Sequence, residues 1–136
     1  MGGRGGASGM SSRTRFEAIS LQGKTGTEKQ RQYAQNLIDG MRETAEANGI
    51  AGFHEQEGTS IRRHVTSSDA EKVQQAYRII KVIIDNQKTY GDVIGILKSQ
   101  SILSYADTLE NQAKRSGKSI KKYVDDFIEE ARKRKR

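Results

Sequence analysis

The chain of 136 residues carries 24 Lys and Arg against 17 Asp and Glu, contains no Cys, Pro or Trp, and is only 33% hydrophobic. An apolar fraction below the roughly 45–50% of ordinary globular chains predicts one small polar domain whose core is thin or completed by a partner. Lack of cysteine excludes a disulfide framework, a thiolate zinc site and a cysteine nucleophile, and the longest apolar stretch, Ile79 to Ile84, is interrupted by Lys81 and far short of the about 20 residues of a membrane span.

Met1 to Ser12 is rich in Gly and Ser and reads as part of a flexible, disordered leader over residues 1–15. Gly3-Arg4-Gly5-Gly6 is similar to one unit of an arginine-glycine RNA-binding repeat, without the aromatic interleaving of such repeats. A single helical domain is expected over 16–131. Its first helix is predicted over 28–48: Thr27-Glu28-Lys29-Gln30 has the form of a capping box, and Tyr33, Ala34, Leu37, Ile38, Met41 and Ala45 follow at helical spacing. Asn48-Gly49 supplies the stop, with Gly49 expected in the left-handed conformation. Gly40, inside the helix at a cost of about 1 kcal/mol relative to alanine, predicts close packing or a kink.

Residues 50–66 lack a helical period and read as an irregular or short β segment, a place where a helical scaffold concentrates function. The next helix is expected to open on the box Ser68-Asp69-Ala70-Glu71. It carries Val73, Ala76, Tyr77, Ile79, Ile80, Val82, Ile83 and Ile84 on more than one face, the pattern of a central helix buried from two sides. Asp92 is expected to cap a short helix through Leu97. A helix over Ile102 to Lys114 places Leu103, Ala106, Leu109 and Ala113 inward and ends at Ser116-Gly117. The last helix, capped by Ser119, has Ile120, Tyr123, Val124, Phe127, Ile128 and Ala131 along one stripe and runs into the basic tail 132–136. The fold class is therefore mainly α, a compact bundle of four to five helices.

The net charge is +7, but residues 132–136 carry +5 and the first fifteen residues +3, so residues 16–131 sum to −1. Any phosphate affinity from bulk charge would come from the ends and depend strongly on salt. For the tail, a helix end matched to its dipole, a phosphate contact and an acidic protein surface all fit the charge. The candidate partner or nucleic-acid contacts are Arg62, Arg63, His64, Lys121, Lys122, Arg132, Lys133, Arg134, Lys135 and Arg136.

Motifs of catalysis are incomplete. Gly23-Lys24-Thr25 and Gly117-Lys118-Ser119 end like a nucleotide-binding loop, but Ala18 and Gln112 stand where the first glycine is required. His54-Glu55 begins like a zinc-protease helix, with Gly58 in place of the second histidine. A metal site from His54, His64 and Glu55 or Glu57 is the remaining metal arrangement, and no cofactor is expected. Glu55-Gln56-Glu57 resembles the Glu-x-Glu pair of ADP-ribosyltransferases over those three residues alone. A helix-turn-helix built on Thr89-Tyr90-Gly91 would have only Lys98 as a basic residue on its second helix.

The leader Met1-Gly2-Gly3-Arg4-Gly5-Gly6-Ala7-Ser8-Gly9 resembles the Gly/Arg/Ser starts of small bacteriophage and mobile-element proteins. Thr25-Gly26-Thr27-Glu28-Lys29-Gln30 with Tyr33-Ala34 is similar to a helix opening in such proteins, where tryptophan-alanine is the usual pair. Together these cover about thirty residues and carry no activity of their own. The resemblance implies a phage or integrated-element origin, not a mechanism. Because small phage-derived proteins are often binders that block a host nucleic-acid machine, CRISPR nuclease inhibitors among them, the expectation from that class is a non-enzymatic protein of the bacterial cytoplasm that engages a host nucleic-acid-handling protein or nucleoprotein complex. Direct DNA or RNA contact and homodimerisation are compatible with it; a membrane partner is not expected. A virion or packaging component and a small enzyme using the 54–64 His/Glu cluster are the alternatives.

Overall fold

Side-chain caps set the ends of the helices in the computed structural model, which describes residues 16–55 and 62–134, apart from the side chains of His54, Glu55, Arg62 and Arg63. The expected leader, except for its boundary with Phe16, lies outside the described residues, as do Lys135 and Arg136. Helix α1 spans Glu28–Asn48. Thr27 Oγ1 accepts from the Gln30 amide at 3.1 Å while Gln30 Oε1 accepts from the Thr27 amide at 3.0 Å, the expected capping box. Gly26, at φ 141°, could carry no Cβ without lying 2.8 Å from Tyr90 Cδ2.

The expectation for Gly49 fails, and so does the close-packing reading of Gly40. Gly49 is not left-handed, its φ being −108°; the position demands glycine because a Cβ there would stand 2.6 Å from the Ala45 carbonyl oxygen and closer still to the Phe16 ring. Around Gly40 the opposite holds. Nothing stands within 4 Å of where its Cβ would be, so close packing does not account for it.

After α1 come strands β1 (Gly52–Glu55) and β2 (Arg62–Val65), paired antiparallel with Gly52 opposite Val65, Phe53 opposite His64, His54 opposite Arg63 and Glu55 opposite Arg62. The short β reading of 50–66 is what the described part shows. Helix α2, Ser67–Asp85, follows at once. Its cap is Thr66, not Ser68: Thr66 Oγ1 accepts from the Asp69 amide at 3.0 Å. The reason is tertiary, since Val65 is buried in the hairpin and carries extended backbone up to Thr66, at φ −73° and ψ 159°. Thr66→Ala should therefore lower the unfolding free energy by about 1 kcal/mol, with Ser68→Ala changing it by less than about 0.5 kcal/mol. Urea titration of both variants checks this; equal losses would reject Thr66 as the cap.

Helix α2 is the central element, as its pattern predicted, burying Val73, Ala76, Tyr77, Ile79, Ile80 and Ile84. Beyond its C-terminus, Lys24 Nζ donates to the carbonyls of Ile84 (2.7 Å) and Gln87 (2.6 Å), so the Gly23-Lys24-Thr25 string serves a helix end rather than a phosphate. Thr25 then forms a bridge to Thr89, with the Tyr90 amide donating to the Thr25 carbonyl at 2.9 Å. This holds Thr89 extended and makes it, rather than Asp92, the cap of α3 (Tyr90–Ser99); Thr89 Oγ1 accepts from the Asp92 amide at 3.1 Å.

Helix α4 spans Ile102–Arg115 and buries Ile102, Ala106, Leu109 and Ala113. Leu103 is instead exposed, because one residue past Ile102 turns it about 100° off that buried stripe. The helix ends at Gly117, φ 69°, where the Lys118 amide reaches the Ala113 carbonyl and the Gly117 amide the Lys114 carbonyl. Ser119 Oγ accepts from the Lys122 amide and opens α5, Ile120–Arg134, which buries Val124 and Ile128 and leaves Phe127 exposed. The mainly α fold thus comprises five helices among the described residues and a two-stranded hairpin.

One apolar cluster draws on all five helices and on a segment that sequence periodicity did not reveal. Phe16, Ile19 and Leu21, ahead of α1, are buried in it. The Phe16 ring lies edge-on to Tyr77 at 5.2 Å, its carbonyl accepts from Arg42 Nε at 2.8 Å, and the Tyr77 hydroxyl donates to the Glu17 carbonyl. Burial pushes the Tyr77 hydroxyl up to about 12. No helix of the described residues is long and apolar enough to cross a membrane.

Candidate interaction surface

The hairpin brings together an aromatic pair. Cross-strand register sets Phe53 beside His64, and their ring centroids stand 4.7 Å apart at an interplanar angle of 33°. Phe53 remains 72% exposed, the most open large hydrophobic side chain among the described residues. Apolar surface left in water gains free energy when a partner covers it, and aromatic anchors dominate many interfaces. By register, Phe53 and His64 alternate with the pair His54 and Arg63, so the two histidines occupy positions of opposite faces of the ribbon. Of the metal reading, Glu57 and the side chains of His54 and Glu55 lie outside what is described.

Beside the hairpin is a polar recess of about 360 Å³, bounded by His64 and Val65 of β2, Asp69 and Lys72 of α2, and Leu103 and Asp107 of α4. Lys72 Nζ sits 2.7 Å from Asp107 and 3.4 Å from Asp69, and the bond to Asp107 holds its ammonium pKa above the ordinary value. A lysine kept charged this way orders the recess and is a poor nucleophile. Exposed Leu103 adds apolar surface at the recess, whose wall also includes His64 of the aromatic pair.

The sequence-predicted basic residues divide into three groups. Arg62 and Arg63 belong to β2, adjacent in sequence to His64 and opposite Glu55 and His54. Lys121 and Lys122 lie on the first turn of α5, but each faces a carboxylate one turn on: Lys121 is 3.0 Å from Asp125 and Lys122 3.0 Å from Asp126. Both carboxyls are held below their ordinary range, Asp125 chiefly by Lys121 and then Arg78, Asp126 chiefly by Lys118 and then Lys122. Each carboxylate is thus shared by two cations, Asp125 by Lys121 and Arg78 and Asp126 by Lys118 and Lys122, so the pairs order the lysines but leave the patch with a net positive charge. Lys118 itself pairs with Asp126 at 2.7 Å, so Gly117-Lys118-Ser119 is helix punctuation.

At the far end of α5, Lys133 lies within 3.9 Å of Glu129 and 3.8 Å of Glu130, whereas Arg132 and Arg134 make no ion pair with a described residue. The helix carries the basic run at least through Arg134, as expected of a tail continuing the last helix. Sequence reasoning named the neighbourhood of Phe53 but did not select Phe53 itself. The signal was an aromatic residue between Gly52 and His54 in a polar segment.

The chain matches no protein-family model, no curated protein and no solved structure.

Proposed function

We propose that the chain is a non-enzymatic binding protein of phage or mobile-element type that engages a host nucleic-acid-handling protein or its nucleoprotein complex, in the manner of a CRISPR nuclease inhibitor. The observation that carries this reading is Phe53, 72% exposed and laid against His64 on a ribbon that also contains Arg62 and Arg63. An exposed ring backed by a second ring suits a protein pocket or an unpaired base of a nucleoprotein. Arg132 and Arg134, which make no ion pair among the described residues, supply a second, salt-sensitive contact.

The test is recovery of partners by tagged full-length protein from bacterial lysate, with and without nuclease, at low and moderate salt. The wild type should retain one host protein after nuclease and moderate salt, and Phe53→Ala should weaken its binding at least tenfold while the melting temperature stays within a few degrees. Removing residues 132–136 should weaken it mainly at low salt. Retention of nucleic acid alone, washed off by salt and lost with residues 132–136 but not with Phe53→Ala, would replace this reading with that of a packaging or virion component.

A further inference from the structure

A second concave surface, independent of the hairpin, lies where α1, α2, α3 and α4 meet. It is a groove of about 440 Å³ whose walls include Leu37 and Met41 of α1, Ile83 of α2, Ile96 and Leu97 of α3, and Tyr105 of α4. Ile80 and Ile102, both buried, also border it. The six wall side chains are only half-buried, although four of them, Met41, Ile83, Leu97 and Tyr105, pack against the main apolar cluster. In a chain that is 30% charged, none of the fourteen residues bordering the groove bears a charge.

Gly40 points to the same place. It stands in the middle of a 21-residue helix, where glycine costs about 1 kcal/mol against alanine, and it borders the groove. No neighbour packs where its side chain would be, and its φ lies outside the left-handed region, so neither packing nor backbone conformation asks for glycine. A side chain there would stand at the border of the groove.

We infer that this groove is a binding site for a small, uncharged, largely apolar ligand. Its volume falls within the roughly 300–1,000 Å³ of small-molecule sites, and its apolar walls match their usual lining. An ionic ligand would lose hydration with no opposite charge to meet it. Most polar groups at the rim are already engaged: Thr44 donates to the Gly40 carbonyl, Ser99 to the Ile96 carbonyl, and Ser101 accepts from the Ser104 amide. The hydroxyl of Tyr105 has no hydrogen-bond partner among the described residues, and burial holds its pKa above the ordinary value. An apolar ligand with a single acceptor is accommodated on that count.

The probe is N-phenyl-1-naphthylamine, a neutral apolar dye that brightens on leaving water, titrated into the full chain. One dye should bind per chain with saturation. Gly40→Phe, which fills the opening from an exposed helix position, should weaken binding at least tenfold. Gly95→Phe, at another helical glycine with open space around it but outside the groove, should change binding less than threefold. Hydrogen exchange on the wild type gives a readout that needs no variant: the dye should slow exchange in Gly40–Thr44 and Ser99–Ile102 and leave the hairpin unchanged. Non-saturating binding, equal binding by Gly40→Phe, or protection elsewhere would overturn the assignment. So would a dimer seen by sedimentation that Gly40→Phe dissolves, which would give the groove to a second copy.

Discussion

Phe16→Ala should lower the unfolding free energy by about 3–5 kcal/mol, the usual loss when a fully buried phenylalanine is cut to its Cβ. Phe16 has no exposed surface and packs edge-on against Tyr77, itself among the largest buried side chains of α2. Truncation removes that ring contact and opens a cavity between the chain before α1 and the central helix. The segment's anchoring hydrogen bonds, from Arg42 to the Phe16 carbonyl and from Tyr77 to the Glu17 carbonyl, would persist only while the backbone stays docked. Since small domains hold only about 5–15 kcal/mol in total, such a loss is a large share of stability. Urea unfolding of the full chain followed by far-ultraviolet circular dichroism reads it, with a fall in Tm of more than about 10 °C expected. A loss below about 1 kcal/mol would mean that residues 16–21 are not a structural part of the core.

Phe16 also marks where the sequence was silent. Helix limits were legible wherever capping chemistry and periodicity agreed: Thr27 and Gln30 fix the start of α1, and Ser116-Gly117 ends α4 with the positive φ that glycine permits. Phe16, Ile19 and Leu21 follow neither a helical nor a strand period, so their burial could only emerge from packing. The same holds for two caps. Thr66 and Ser68 are both competent, and Thr89 and Asp92 likewise; strand pairing at Val65 and the Thr25–Thr89 bridge decide between them. At the surface, the count of cations at 121 and 122 was correct, but their meaning depends on Asp125 and Asp126 one turn away. The groove was signalled only by Gly40, whose cost in a helix was legible and whose purpose was not.

Gly49→Ala is the second large effect, with an expected loss of about 1–3 kcal/mol from overpacking. A φ of −108° is open to alanine, so the cost is not conformational. It arises because the new methyl group would collide with the Phe16 ring and lie 2.6 Å from the Ala45 carbonyl oxygen. A double-mutant cycle separates the two causes. In a Phe16→Ala background the ring is gone, and the remaining penalty should fall by at least about 1 kcal/mol, a coupling typical of residues in contact. Additive losses would place the whole conflict at Ala45. The substitution also reaches the proposed binding element, because the Gly49 carbonyl accepts from Gln74 Nε2 at 2.7 Å just before the chain enters β1. Moving that carbonyl shifts the root of the strand carrying Phe53. Gly49→Ala should thus weaken partner retention with every contact side chain intact, and the Phe16→Ala background should restore part of it. Full retention in a destabilised Gly49→Ala protein would show instead that the hairpin holds its position independently of the end of α1.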